Sequence, residues 1–124
     1  AFVSFSTFGY PRSERAEKMH RAPQVLESRG VDFEFEGEMT VDVALNPKAQ
    51  AVYPFQRLTG PANILVVPAR HSASISVKLM QEMAGATVIG PILSGIDKSI
   101  QVCSTNSTAN DILNMAMLAA CKVR

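Results

Sequence analysis

Ile64-Leu65-Val66-Val67-Pro68 is a continuous apolar run closed by a proline. Such a run suits a strand buried on both faces, as in parallel sheets. Downstream, Ser72 to Ala84 reads as a helix with Ile75, Leu79, Met80 and Met83 on one face. Thr87 to Leu93 reads as a further strand, broken at Gly90-Pro91, and Ile100 to Cys103 as the last strand. Ser107 or Thr108 then caps a helix running to about Lys122. That helix is apolar almost all round, so it must be buried in this chain or against another surface.

Upstream of the run, Gly60-Pro61 marks a turn, and Ala49 to Tyr53 reads as a short helix. Met39 to Leu45 reads as another short helix, ended by Asn46-Pro47. Val31 to Phe35 alternates as a strand between Gly30 and Gly37. Ser13 is an N-cap, with Glu14 and Glu17 in the first turn and Ala16, Met19 and Leu26 on the apolar face. Pro23 inside this helix is expected to kink or break it. Phe2 to Phe5 is a strand, followed by a turn from Ser6 to Pro11. Strands separated by helices argue for βαβ units: an α/β fold with an open, mostly parallel sheet and helices on both faces.

The chain has 124 residues, 47% of them hydrophobic and 19% charged, with a net charge of +1. One domain fits this length. Near-neutrality gives no reason to expect nucleic acid or an anionic membrane as partner. No stretch has the apolar length to span a bilayer. Ala1 to Phe5 reads as a strand already under way, with no signal peptide, and both ends read as cuts in a longer polypeptide. Cys103 and Cys121 lack metal spacing and read as free, buried thiols of a reducing, cytoplasmic compartment.

Ligands of open α/β sheets bind where strands end, so the turns after strands are the candidates. Ser6, Thr7 and Gly9 follow the first strand; they could cradle a phosphate, or merely make local hydrogen bonds. Glu36-Gly37-Glu38, with Asp42 behind it, could do acid–base work, but reads more simply as a solvated turn. His71 could be a general base but reads as a surface residue near a helix start, and His20 as solvated on a charged helix. No metal site is read. Ser104 to Thr108 is a polar link into a helix N-terminus, which attracts anions. The simpler reading is a cap, since Thr108 and Asp111 have the spacing of a capping box.

Taken in order, these turns carry a pattern. It comprises Ser4-Phe5-Ser6-Thr7, then Glu36-Gly37-Glu38-Met39-x-x-Asp42-x-Ala44-Leu45, then Gly60-x-Ala62-Asn63-Ile64-Leu65-Val66. Gly90-Pro91-Ile92-Leu93-x-Gly95 and Asp111-Ile112-x-Asn114 complete it. The pattern resembles the C-terminal part of the phosphate acetyltransferase (phosphotransacetylase) family. The resemblance implies a fragment of a two-lobed domain, with residues 1–98 from one lobe and 99–124 returning to the other. It further implies an acetyl-CoA or phosphate site at Ser6, Thr7, Gly9, Gly90, Pro91, Gly95, Ser104, Thr105 and Asp111. Active members carry Ser-Arg-Gly in the last turn; here Ser104 and the later Asp111 keep the catalytic positions, while Thr105 stands at the Arg and Asn106 at the Gly. Thr cannot supply a fixed cationic fork for developing charge. The family's first loop carries Lys before its Gly, and here that residue is Phe8.

Phe8-Gly9 and the altered last turn look like the phosphotransacetylase-like domains at the C-terminus of bacterial NADP-dependent malic enzymes. That branch implies a parent reaction of malate to pyruvate and CO2, with NADP and Mg or Mn held outside this fragment. It implies acetyl-CoA as effector, the rest of the parent chain as partner, and homo-oligomerisation: a dimer through this domain within a higher oligomer. Two alternatives stay open: a working phosphate acetyltransferase, and a purely structural oligomerisation domain.

Overall fold

The computed structural model describes residues 1–121. The chain divides into two compact units, Ala1–Ser76 and a second beginning at Val77.

In the first unit, β1 (Phe2–Val3) pairs in parallel with β2 (Gly37–Met39). Its other edge bonds Val66: the Val3 amide donates to the Val66 carbonyl and the Val66 amide to that of Ala1. The expected strand at Ile64–Val67 is thus reduced to a single parallel bridge between Phe2 and Val66. It is not buried on both faces, since Ile64 is 67% exposed. The order β2–β1–Val66 is the parallel arrangement expected of an α/β fold, with helices flanking the sheet.

The pairing of β1 and β2 is irregular. Phe2 stands opposite Gly37 but Val3 opposite Met39, so β2 spends one extra residue, Glu38. A bulge of this kind re-aims a side chain. The Gly37–Glu38 peptide is cis, as are Tyr10–Pro11 and Gly90–Pro91. The strand expected over Val31–Phe35 lies instead at Gly37–Met39, because the backbone available to β1 begins at Glu36, whose carbonyl receives the Phe2 amide. Phe33 and Phe35 pack edge to face, and Arg57 lies over the Phe35 ring.

Helix α1 (Glu14–Glu27) packs on both strands. Ser13 caps it by accepting from the Arg15 amide, and Ala16, Met19 and Pro23 are its buried residues. Pro23 does not break the helix as expected: burial of the ring offsets the one hydrogen bond it removes. Helices α2 (Val41–Leu45) and α3 (Pro47–Gln50) follow, with Asn46 ending one and capping the other. Met39, expected in the first short helix, belongs to β2. Val3, Met39, Val43, Ala44 and Leu58 form the core.

Helix α4 (Arg70–Ala84) runs from the first unit into the second and buries none of its residues. The apolar face expected at Ile75, Leu79, Met80 and Met83 is present and exposed. No strand forms at Thr87–Leu93 or Ile100–Cys103. There a side chain does what a ladder would do: the Gln101 amide accepts from the Leu93 N–H at 3.0 Å and donates to its carbonyl at 3.2 Å. Helix α5 (Ala109–Ala120) is capped by Thr108 and buries only Met115, contrary to the burial expected of an all-round apolar helix. Its expected end at Lys122 lies outside the described residues. Cys103 and Cys121 are free, but exposed rather than buried. His71 is exposed near the start of α4, as expected. Among the described residues no helix is long and apolar enough to cross a membrane.

Candidate functional site

The turn after β1 is organised by one carboxylate. Thr7 and Tyr10 exchange backbone hydrogen bonds at 2.8 and 3.1 Å, closing the turn. Phe8 (φ 49°) and Gly9 (φ 85°) both lie in the left-handed region. This conformation turns two amides toward β2: Phe8 N–H donates to the Glu38 carbonyl at 2.8 Å, and Gly9 N–H to Glu38 Oε1 at 2.6 Å. Ser6 Oγ donates to the same oxygen at 3.0 Å. Thr7 Oγ1 accepts from the Thr40 amide at 3.1 Å. Ser6, Thr7 and Gly9, expected at the site, are therefore brought together against the end of β2.

Glu38 is fully buried, which corrects its reading as a solvated turn residue. The bulge in β2 carries it inward, where it meets donors rather than water. Its second oxygen, Oε2, lies 2.7 Å from His20 Nδ1. His20 is therefore not simply solvated; it spans the gap between α1 and the carboxylate, with its side chain 44% exposed. Burial pushes the Glu38 carboxyl upward, but hydrogen bonds from Gly9, its own amide, His20 and Ser6 outweigh this and hold it below the usual carboxylate range. Glu36 is committed elsewhere: its Oε2 accepts from the Arg57 amide and Nε at 3.1 and 3.2 Å. The two carboxylates thus serve different partners and do not form an acid–base pair.

A cavity of about 920 Å³ opens between this turn and α1, with Ser6, Phe8, Gly9, Arg12, His20 and Glu38 in its wall. The Phe8 ring also packs on Tyr53 and Phe55, with centroids 5.2 and 4.9 Å away.

The remaining expected residues belong to the second unit. Ser104 and Thr105 are exposed, and Ser104 Oγ bonds the side chain of Asn106. Thr108 and Asp111 make the capping box that their spacing predicts. The Asp111 amide donates to Thr108 Oγ1 at 3.2 Å, while Asp111 Oδ2 accepts from the Thr108 amide and hydroxyl, each at 2.8 Å. The Thr108 amide, then its hydroxyl, hold the Asp111 carboxyl below its ordinary range. Gly90, Pro91 and Gly95 lie in an exposed irregular segment, with φ of 146° at Gly90 and 77° at Gly95. Among the described residues no three His, Cys, Asp or Glu side chains cluster to hold a metal ion.

Sequence reasoning passed over Glu38 and His20. One signal was present: His20 directly follows the buried Met19, at the edge of the Ala16–Met19–Pro23 stripe, so its ring could not face wholly outward.

These features define a parallel α/β module whose polar turns, one following a strand and one opening a helix, are held by hydrogen-bonded carboxylates. A family model described as phosphate acetyl/butaryl transferase matches residues 1–120, and the chain belongs to that family. It is 52% identical over 120 residues to an NADP-dependent malic enzyme of Rhizobium meliloti, covering 97% of this chain and 16% of that protein. It is 33% identical to a phosphate acetyltransferase of Clostridium acetobutylicum, covering 95% of this chain and 36% of that one. Among solved structures it matches the EutD phosphotransacetylase from Staphylococcus aureus with a TM-score of 0.83 at 27% identity, over 96% of this chain and 38% of that one. The chain therefore spans well under half the length of the relatives it matches, and in the malic enzymes it corresponds to a small part of a larger chain.

Proposed function

We propose that this chain is the phosphotransacetylase-like domain of a cytoplasmic NADP-dependent malic enzyme, where it binds acetyl-CoA as a regulator and joins subunits, without transferring acetyl groups. The observation that carries this reading is Phe8. Where the resemblance calls for a lysine, an aromatic ring packs against Tyr53 and Phe55. Thr105 likewise stands where an arginine is called for. Without these two cations, amides and hydroxyls can still retain an anionic acyl-CoA, but charge aimed at a transition state is lacking.

Three further observations support the reading. Identity is 52% to the NADP-dependent malic enzyme of R. meliloti, 34 to 39% to three other malic enzymes and 30 to 36% to the acetyltransferases. Asp111, which keeps a catalytic position of the family, is engaged by its own helix cap. Exposed apolar residues on α4 and α5, such as Met83 and Met117, suit a surface that is covered in an assembly.

The test uses the complete polypeptide. Acetyl-CoA is expected to bind by calorimetry and to change the kcat or KM of malate-dependent NADPH formation, since allostery requires a coupling free energy between sites. Acetyl transfer from acetyl phosphate to CoA is expected to be undetectable. Absence of binding at millimolar acetyl-CoA, or transfer at the roughly 1–1,000 per second typical of enzymes, overturns the proposal.

A further inference from the structure

Glu38 has no exposed surface, yet one hydrogen bond links it to solvent. Its Oε1 holds the turn through Ser6 Oγ and Gly9 N–H, while its Oε2 meets His20 Nδ1 at 2.7 Å. His20 is nearly half exposed and lines the cavity beside that turn. A proton taken up from water by the imidazole therefore lands one hydrogen bond from the carboxylate that shapes the turn.

We propose that Glu38 and His20 are positioning residues for the Ser6–Gly9 turn, and that protonation of His20 tightens the turn and favours an anionic acyl-CoA ligand in the adjoining cavity. The ligand part rests on the effector reading given above; the positioning part rests on geometry alone.

The sign follows from the charges that face His20. From β2 comes Glu38; from its own helix, Glu14 and Glu17; from the turn preceding α1, Arg12. Phe2 and Val3 of β1 bring no titratable side chain. Lys18 and Arg21 of α1 line a neighbouring cavity with Phe2, which Glu14 and Glu17 also border, and neither cation lines the cavity that holds His20. The wall around His20 thus holds three carboxylates against one guanidinium. An imidazolium neutralises one of those carboxylates and donates a charge-assisted hydrogen bond to it. The neutral ring leaves the Glu38 charge held by neutral donors alone, beside a site for an anion. Unperturbed imidazoles change charge between about pH 5 and 8, so pH 6 and pH 8 are the values to compare.

The experiment follows the complete polypeptide by two readouts at pH 6 and pH 8. The first is hydrogen–deuterium exchange of the peptide covering Ser4 to Tyr10, with labelling times scaled to intrinsic rates. The second is the acetyl-CoA dissociation constant by calorimetry. In the wild type, protection of the turn is expected to fall from pH 6 to pH 8, and the dissociation constant to rise by about tenfold, the scale of exchanging a charge-assisted hydrogen bond for a neutral one. His20→Gln keeps an amide donor for Glu38 but does not titrate, so both readouts are expected to become flat with pH while binding persists. Glu38→Gln is expected to loosen the turn at both pH values; should it fail to fold, His20→Gln alone decides. Turn protection that does not change with pH in the wild type overturns the proposal, as does His20→Gln keeping the wild-type profile or acetyl-CoA binding equally at both pH values. If protection follows His20 but acetyl-CoA binds at neither pH, the positioning role stands and the effector reading falls.

Discussion

The Gly9 amide donates to Glu38 Oε1 at 2.6 Å, so a residue of the first turn and a buried residue of β2 are locked together across 29 positions of sequence. The same oxygen takes the Ser6 hydroxyl, and the other meets His20. Removing the carboxylate strands all three partners, and two of them belong to a single turn. Glu38→Ala is therefore expected to cost at least about 2 kcal/mol, the scale of leaving buried donors without their acceptor. Urea denaturation checks this; a loss below about 1 kcal/mol would mean that water replaces the carboxylate without penalty.

Acid should act through the same group. The folded Glu38 carboxyl titrates below its ordinary value, because its hydrogen bonds outweigh its burial. A carboxyl depressed in the folded state contributes stability above its unfolded pKa of about 4.3, and that contribution is lost as pH falls through the folded value. Asp42, held down chiefly by the Thr40 hydroxyl, and Asp111, held down by Thr108, act in the same direction. Stability of the wild type is expected to decline as pH drops below about 4.5, and Glu38→Gln to show a shallower decline. Equal slopes for the two proteins would remove Glu38 from the account.

Gly37 is required by close approach. A Cβ built there would lie 2.6 Å from the Phe2 carbonyl oxygen and 2.9 Å from the Phe2 Cβ, and its φ of 146° is in a region that disfavours side chains. Neither obstacle is the flexible end of a side chain. Gly37→Ala must push β1 from β2 or abandon the pairing, and is expected to cost at least about 3 kcal/mol. Gly60, where an added Cβ meets nothing within 4 Å, is the control: Gly60→Ala is expected to change thermal stability far less.

The sequence revealed the fold class, the α1 cap at Ser13 and the capping box at Thr108 because each rests on local chemistry that a few adjacent residues complete. The Ser6–Gly9 turn was legible for the same reason. Glu38 was not, since its burial depends on an extra residue in β2 and on donors from the first turn and α1, none of which is local. The strands expected at Thr87–Leu93 and Ile100–Cys103 show the converse. Their β-branched and apolar content was real, but a strand needs a partner ladder, and Gln101 meets Leu93 with its side chain instead.

The capping box at Thr108 makes Asp111 a structural group and a candidate site residue at once, and two substitutions separate these roles. Thr108→Ala removes the hydroxyl that accepts from the Asp111 amide and donates to Asp111 Oδ2. Loss of a threonine cap costs about 1 kcal/mol, and with one of its two donors gone the Asp111 carboxyl should titrate closer to an ordinary aspartate. Thr108→Ser keeps both bonds and is expected to be nearly neutral. Asp111→Asn leaves the threonine hydroxyl on the helix amide but replaces the anion that suits a helix N-terminus, and is expected to be only slightly destabilising because the group is solvent-screened. If Asp111 also contacts the ligand, Asp111→Asn changes acetyl-CoA affinity while Thr108→Ala leaves the carboxylate available and changes it less. If Asp111 is only a cap, both substitutions change affinity in proportion to the stability they remove. Thermal denaturation and calorimetry on the same pair of variants distinguish the two outcomes.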